Sequence, residues 1–79
     1  MRKEIHMPNL KKDSSCVLAR WACEPGDMLY PGDVLFEAEV DKVAEEIRCD
    51  EKLKVCELLA EEGDEVSPGS TVAVCEVLP

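Results

Sequence analysis

Apolar and polar positions along this chain change places over short runs. Nowhere do they hold a helical period for several turns. Val34 to Val40 reads VLFEAEV, with Phe36, Ala38 and Val40 falling on one face of an extended strand and Glu37 and Glu39 on the other. Val72 to Val77 repeats the theme, and Val17 to Trp21 and Leu53 to Leu58 form another similar pair. Lys3 to Met7, Val43 to Arg48, and the very short pieces Met28 to Tyr30 and Glu65 to Ser67 complete a set of about eight strands. The best helical stretch, CELLAEEG, is too short to be convincing. The fold class expected is all-β.

Between the strands stand Gly-Asp and Pro-Gly dipeptides, where glycine reaches positive φ and proline presets a turn. They recur at a fixed spacing. EPGDMLYPGDVLFEAEV (24–40) aligns without a gap on EEGDEVSPGSTVAVCEV (61–77), an offset of 37 that sets Gly26 on Gly63, Pro31 on Pro68 and Val40 on Val77. Each copy is too small to bury its apolar face alone, so two copies packed around a pseudo-twofold axis are expected. Run backwards, the same offset sets Ile5 on Lys42; run forwards, it sets Lys42 on Pro79. The bend at Asp41-Lys42 thus corresponds to the place where the chain starts and stops. Both termini are expected side by side at one end, with Lys42 at the other.

Composition narrows the function. The 79 residues allow one domain, taken as 1–79, and 46% hydrophobic content with only three aromatics implies a core of Val, Leu, Ile, Ala and Cys. A formal charge of −9 argues against nucleic acid and against an anionic membrane surface, and favours steering toward a basic protein partner. No apolar run is long enough for a membrane span, and the N-terminus lacks a signal-peptide stretch. Five cysteines, an odd number with no C-x-x-C pair and a single histidine, cannot all close into disulfides within the chain and lack ordinary metal-ligand spacing. They point to small core residues in a reducing compartment, with the cytoplasm expected.

Glu39-Val40-Asp41-Lys42-Val43 then becomes informative. It is close to the Glu-Thr-Asp-Lys-Ala around the modified lysine of the lipoyl domains of 2-oxo acid dehydrogenase complexes. Met7-Pro8-Asn9-Leu10 matches that family's opening Met-Pro-x-Leu. Arg20-Trp21 before the Pro-Gly-Asp turn, Gly26 before the lysine and EEGDEVSPGS after it keep the family's spacing, so the chain resembles a lipoyl domain along nearly its whole length. The resemblance implies a flattened β-barrel, or sandwich, of two four-stranded antiparallel sheets. It implies lipoic acid in amide linkage to Lys42, with Asp41, Glu39, Val40, Val43 and Gly26 as the surrounding attachment motif. The partners implied are a lipoylating enzyme, a thiamine-dependent 2-oxo acid decarboxylase, an acyltransferase core (the chain being either free-standing or a piece of it) and a dihydrolipoyl dehydrogenase. If the source is eukaryotic, the mitochondrial matrix is implied. The domain itself would catalyse none of the steps.

Some residues depart from the family pattern. Leu53 replaces a glycine usual eleven residues after the lysine. The loop after Met-Pro-x-Leu, KKDSSCV, is short and lacks glycine; the repeat puts it beside the lysine-bearing end, making Lys11, Lys12 and Asp13 candidates for partner recognition. Asp41 has two readings, a recognition residue or a turn former, and Glu37, Glu39, Glu45 and Glu46 are expected to point outward. Three rival functions remain: a biotin carrier domain, whose lysine normally stands between methionines, an unmodified sandwich used as an adaptor, and a redox or metal role for the cysteines.

Overall fold

The computed structural model describes residues 1–12 and 14–79; Asp13 lies outside them. The described chain contains β1 (Arg2–His6), β2 (Cys16–Trp21), β3 (Met28–Leu29), β4 (Val34–Val40), β5 (Val43–Arg48), β6 (Leu53–Leu58), β7 (Glu65–Val66) and β8 (Thr71–Val77). No strand boundary differs from the sequence expectation by more than one residue. The strands form two four-stranded sheets of order β1-β8-β6-β3 and β5-β4-β2-β7, antiparallel throughout. The fold is all-β, a sandwich or flattened barrel left open where β1 and β5 end the two sheets.

The duplication is visible in the pairing itself. Leu18 opposes Ala38 as Val55 opposes Cys75, and Val17 opposes Glu65 as Met28 opposes Lys54. Even the irregularities repeat: the register slips at Ala19 in β2 and at Cys56 in β6, two bulges 37 residues apart. Cys56 follows buried Val55 in the strand alternation and faces outward, and the bulge keeps Glu57 outward after it; the other four cysteines are buried.

The first strand corrects the sequence alignment. Pairing against β8 and β4 makes Ile5 equivalent to Ile47, not to Lys42, because Ile5 opposes Ala73 as Ile47 opposes Phe36. The offset there is 42, since the β1–β2 connection is five residues longer than the β5–β6 connection. The signal was present in the sequence: Lys3-Glu4-Ile5-His6 resembles Glu45-Glu46-Ile47-Arg48. The geometric deduction survives the correction. The Met1 amine meets Glu76 Oε1 at 3.2 Å, and the Val77 amide donates to the Met1 carbonyl at 2.7 Å, so the chain ends lie together. The β5–β6 loop joins them there, its Lys52 carbonyl accepting from the Leu78 amide. Strand β5 runs from Lys42 to that loop, roughly 20 Å for six extended residues, along a molecule 36 Å long. Lys42 and the termini occupy opposite ends.

The core lies between the sheets, with Leu18, Phe36, Leu53, Val55, Val72 and Cys75 at most 1% exposed. Phe36 meets the Trp21 ring edge-on at 5.3 Å, a favoured aromatic arrangement. Leu53 opens β6 and packs in this core, so the position where the family commonly has glycine holds a buried side chain here.

Candidate functional site

Val40 pairs with Val43, so the β4–β5 hairpin closes over two residues, Asp41 and Lys42. Their φ angles are 52° and 64°. Two positive φ values in a two-residue loop define a type I′ turn, whose twist suits a hairpin and whose usual occupants are Asn-Gly and Asp-Gly. Among the described residues the other positive-φ positions are all glycines, at 26, 32, 63 and 69. Lys42 is thus the only bulky side chain placed in left-handed backbone among the described residues. It is exposed, and no hydrogen bond or ion pair engages its amine among the described residues. Its stem therefore leaves the turn into solvent, clear of the chain ends.

Asp41 does something different from the molecule's other turn aspartates. Asp27, Asp33 and Asp64 each accept from a backbone amide three residues earlier, at 2.8 to 2.9 Å. The Asp41 carboxylate instead forms an ion pair with the Lys11 ammonium, from the β1–β2 connection. Sequence reasoning placed that loop beside the lysine and paired no residue with Asp41. Lys12 is exposed nearby in the chain, and Asp13, the third residue of that proposed recognition set, lies outside the described residues.

The flanking strands carry carboxylates in a fixed order. Glu37 opposes Glu46 across β4 and β5, a pairing of like charges that each side neutralises separately. Arg20 donates to Glu37 through Nε at 2.9 Å and Nη2 at 2.5 Å. Arg48 donates to Glu46 at 2.6 Å and to the Gly32 carbonyl at 2.7 Å. Glu39 is exposed on the same outer face. Glu45 corrects the outward expectation: it opposes Ala38, a core residue, and so takes the inward register with Val43 and Ile47. It stays exposed because the tip half of β5, Val43 to Glu46, is exposed on both faces.

Gly26 is not brought to this site. It sits at φ 95° in the turn before β3, its amide donating to the Val55 carbonyl at 2.7 Å in the other sheet. A Cβ there would meet nothing within 4 Å, so backbone conformation alone calls for the glycine. A cleft of about 290 Å³ between the open edges, lined by Ile5, His6, Ile47 and Arg48 among others, includes neither Asp41 nor Lys42. The buried thiols are poor nucleophiles and ligands. Burial, helped by the neighbouring Cys75, pushes the Cys23 thiol up to about 11, and burial raises Cys49 and Cys75 as well. Among the described residues no three His, Cys, Asp or Glu side chains assemble as a metal set.

The arrangement matches known proteins. No curated protein matches the chain significantly. Among solved structures, the solution structure of the lipoyl domain of the 2-oxoglutarate dehydrogenase complex from Azotobacter vinelandii superposes with a TM-score of 0.79. The two are 23% identical over 92% of this chain and 94% of that one, a likeness of fold. A family model for biotin and lipoyl attachment domains, described as "Biotin-requiring enzyme", matches residues 3–75. Hairpin, duplicated sheets and sequence match agree, and the chain belongs to the biotin/lipoyl attachment family.

Proposed function

We propose that this chain is a lipoyl carrier, modified on Lys42, that moves acyl groups and reducing equivalents between the enzymes of a 2-oxo acid dehydrogenase complex. One observation carries the reading: an exposed lysine with an unengaged amine stands in a two-residue left-handed turn, at the end of the molecule opposite the chain termini. Any tether through the termini then leaves the arm its full sweep, and a tethered carrier gains effective concentration at each active site without tight binding. The residues suit the group. Lys42 Nζ is available for an amide bond, the rigid β4 and β5 fix where the arm starts, and exposed Val43 and Ala44 leave its base uncrowded. Once attached, the dithiolane supplies the acyl-transfer and redox chemistry; the chain supplies placement and catalyses none of those steps.

Lipoyl is favoured over biotin because Asp41 and Val43 flank the lysine where biotin-accepting domains normally carry methionines. The test is intact mass and peptide mapping of protein made in a host replete in lipoate and biotin with both attaching enzymes. The expected result is one lipoyl group on Lys42 and none in Lys42→Arg. A biotin increment overturns the choice of cofactor, and an unmodified lysine overturns the carrier. Reductive acylation by a panel of thiamine-dependent decarboxylases then identifies the complex served.

A further inference from the structure

The hairpin tip has little to hold it. Strand β5 pairs only with β4, its tip half is exposed on both faces, and both turn residues occupy left-handed backbone without a glycine. Asp41, unlike Asp27, Asp33 and Asp64, whose carboxylates accept from backbone amides, points its carboxylate at Lys11. Among the described residues this is the only ion pair that reaches the turn. It comes from a connection anchored at both ends, by β1 in one sheet and β2 in the other. At the other end of the molecule a different ion pair ties strand to loop: Lys3 of β1 reaches Glu51 at 2.5 Å and Asp50 at 3.6 Å in the β5–β6 loop.

We infer that Lys11 is a positioning residue, a strut that clamps Asp41 and so fixes the direction in which Lys42 leaves the turn, and that it is not a group held out for a partner. The inference rests on the carrier reading above for its purpose, though not for its geometry. With the strut in place the turn is populated in one conformation, and the attaching enzyme meets the lysine already aimed. Without it the competent conformation is a fraction of the ensemble, and apparent affinity falls by that fraction while the chemical step is unchanged.

The decisive measurement uses the unmodified chain. Backbone ¹⁵N relaxation should give order parameters near about 0.85 for Asp41 and Lys42 in the native protein and below about 0.6 in Lys11→Gln, with Lys11→Arg restoring them. Unfolding should stay cooperative in all three, with the Lys11→Gln midpoint no more than about 8 °C below native, the same ceiling of about 1 kcal/mol, showing that the fold is intact. Identical order parameters at the turn in native and Lys11→Gln protein overturn the strut. In lipoylation kinetics Lys11→Gln should raise KM by up to about five-fold, the ceiling for an exposed ion pair, with kcat unchanged and Lys11→Arg near native. A fall in kcat at constant KM also overturns it. If native protein accepts no lipoyl group the carrier reading fails, and the relaxation comparison still decides the strut.

Discussion

Replacing Lys42 by glycine should make the unmodified domain more stable. Lys42 sits at φ 64°, where a residue with a Cβ incurs roughly 1–2 kcal/mol of left-handed strain. Glycine avoids that strain but loses about 0.5–1 kcal/mol more conformational freedom on folding. The difference leaves Lys42→Gly ahead by roughly 0–1.5 kcal/mol, centred near about 0.75, or about 3–6 °C in Tm at that centre for a domain of this size. No packing term opposes the gain, because the side chain is exposed. Lys42→Ala is the control: it keeps the Cβ and the strain, and should stay within about 0.5 kcal/mol of native. The assay is thermal unfolding of the unmodified proteins, followed by far-UV circular dichroism and by emission of Trp21, which packs on the buried Phe36. A Lys42→Gly protein melting with or below Lys42→Ala refutes the reasoning. The predicted ordering means that the most exposed bend of the molecule carries a residue that stability alone would not select, as expected of a functional position.

Three further outcomes can be checked. Leu53→Ala should cost about 2–5 kcal/mol in urea unfolding, as a cavity under β6, whereas Leu59→Ala on the surface should cost no more than about 0.5 kcal/mol; equal losses would contradict the core position of Leu53. At pH 8 an aromatic disulfide reagent should titrate Cys56 alone within seconds, the four buried thiols following only on unfolding; rapid labelling of all five would contradict the burial. Stability should also decline at alkaline pH. The Cys23 thiol moves from its ordinary 9.0 to about 11 in the folded chain, so the unfolded chain gives up its proton first. That contribution is complete below pH 9 and lost by about pH 11, with Cys49 and Cys75 acting in the same direction. Melting between pH 8 and 11 should show the fall, and a slope in Cys23→Ala no flatter than native would contradict it.

Much of the fold could be read from the chain because its signals are local or repeated. Alternation in FEAEV and the Gly-Asp and Pro-Gly turns set each strand, and the copy 37 residues away tested each assignment a second time. What escaped depends on pairing between distant segments. The bulges at Ala19 and Cys56 exist only relative to β4 and β8, so no pattern within either strand marks them. The same holds for Glu45, whose inward register is fixed by Ala38 across the hairpin. The changed offset of β1 arose from a loop-length difference, which an ungapped comparison cannot register. At the site, the lysine could be singled out because the duplication leaves one unmatched bend. The Lys11–Asp41 pair joins residues 30 positions apart through a connection without regular structure, and periodicity is silent there.

The open side of the sandwich has a consequence for behaviour in concentrated solution. Each terminal strand there turns an ionisable side chain toward the interior register, Lys3 on β1 opposite Cys75 and Glu45 on β5 opposite Ala38. A second molecule adding its own strand to either border would have to entomb one of those charges. The vacant backbone groups of β1 and β5 are thereby guarded against self-association. The two remaining edge strands, β3 and β7, are only two residues long and offer little to pair with.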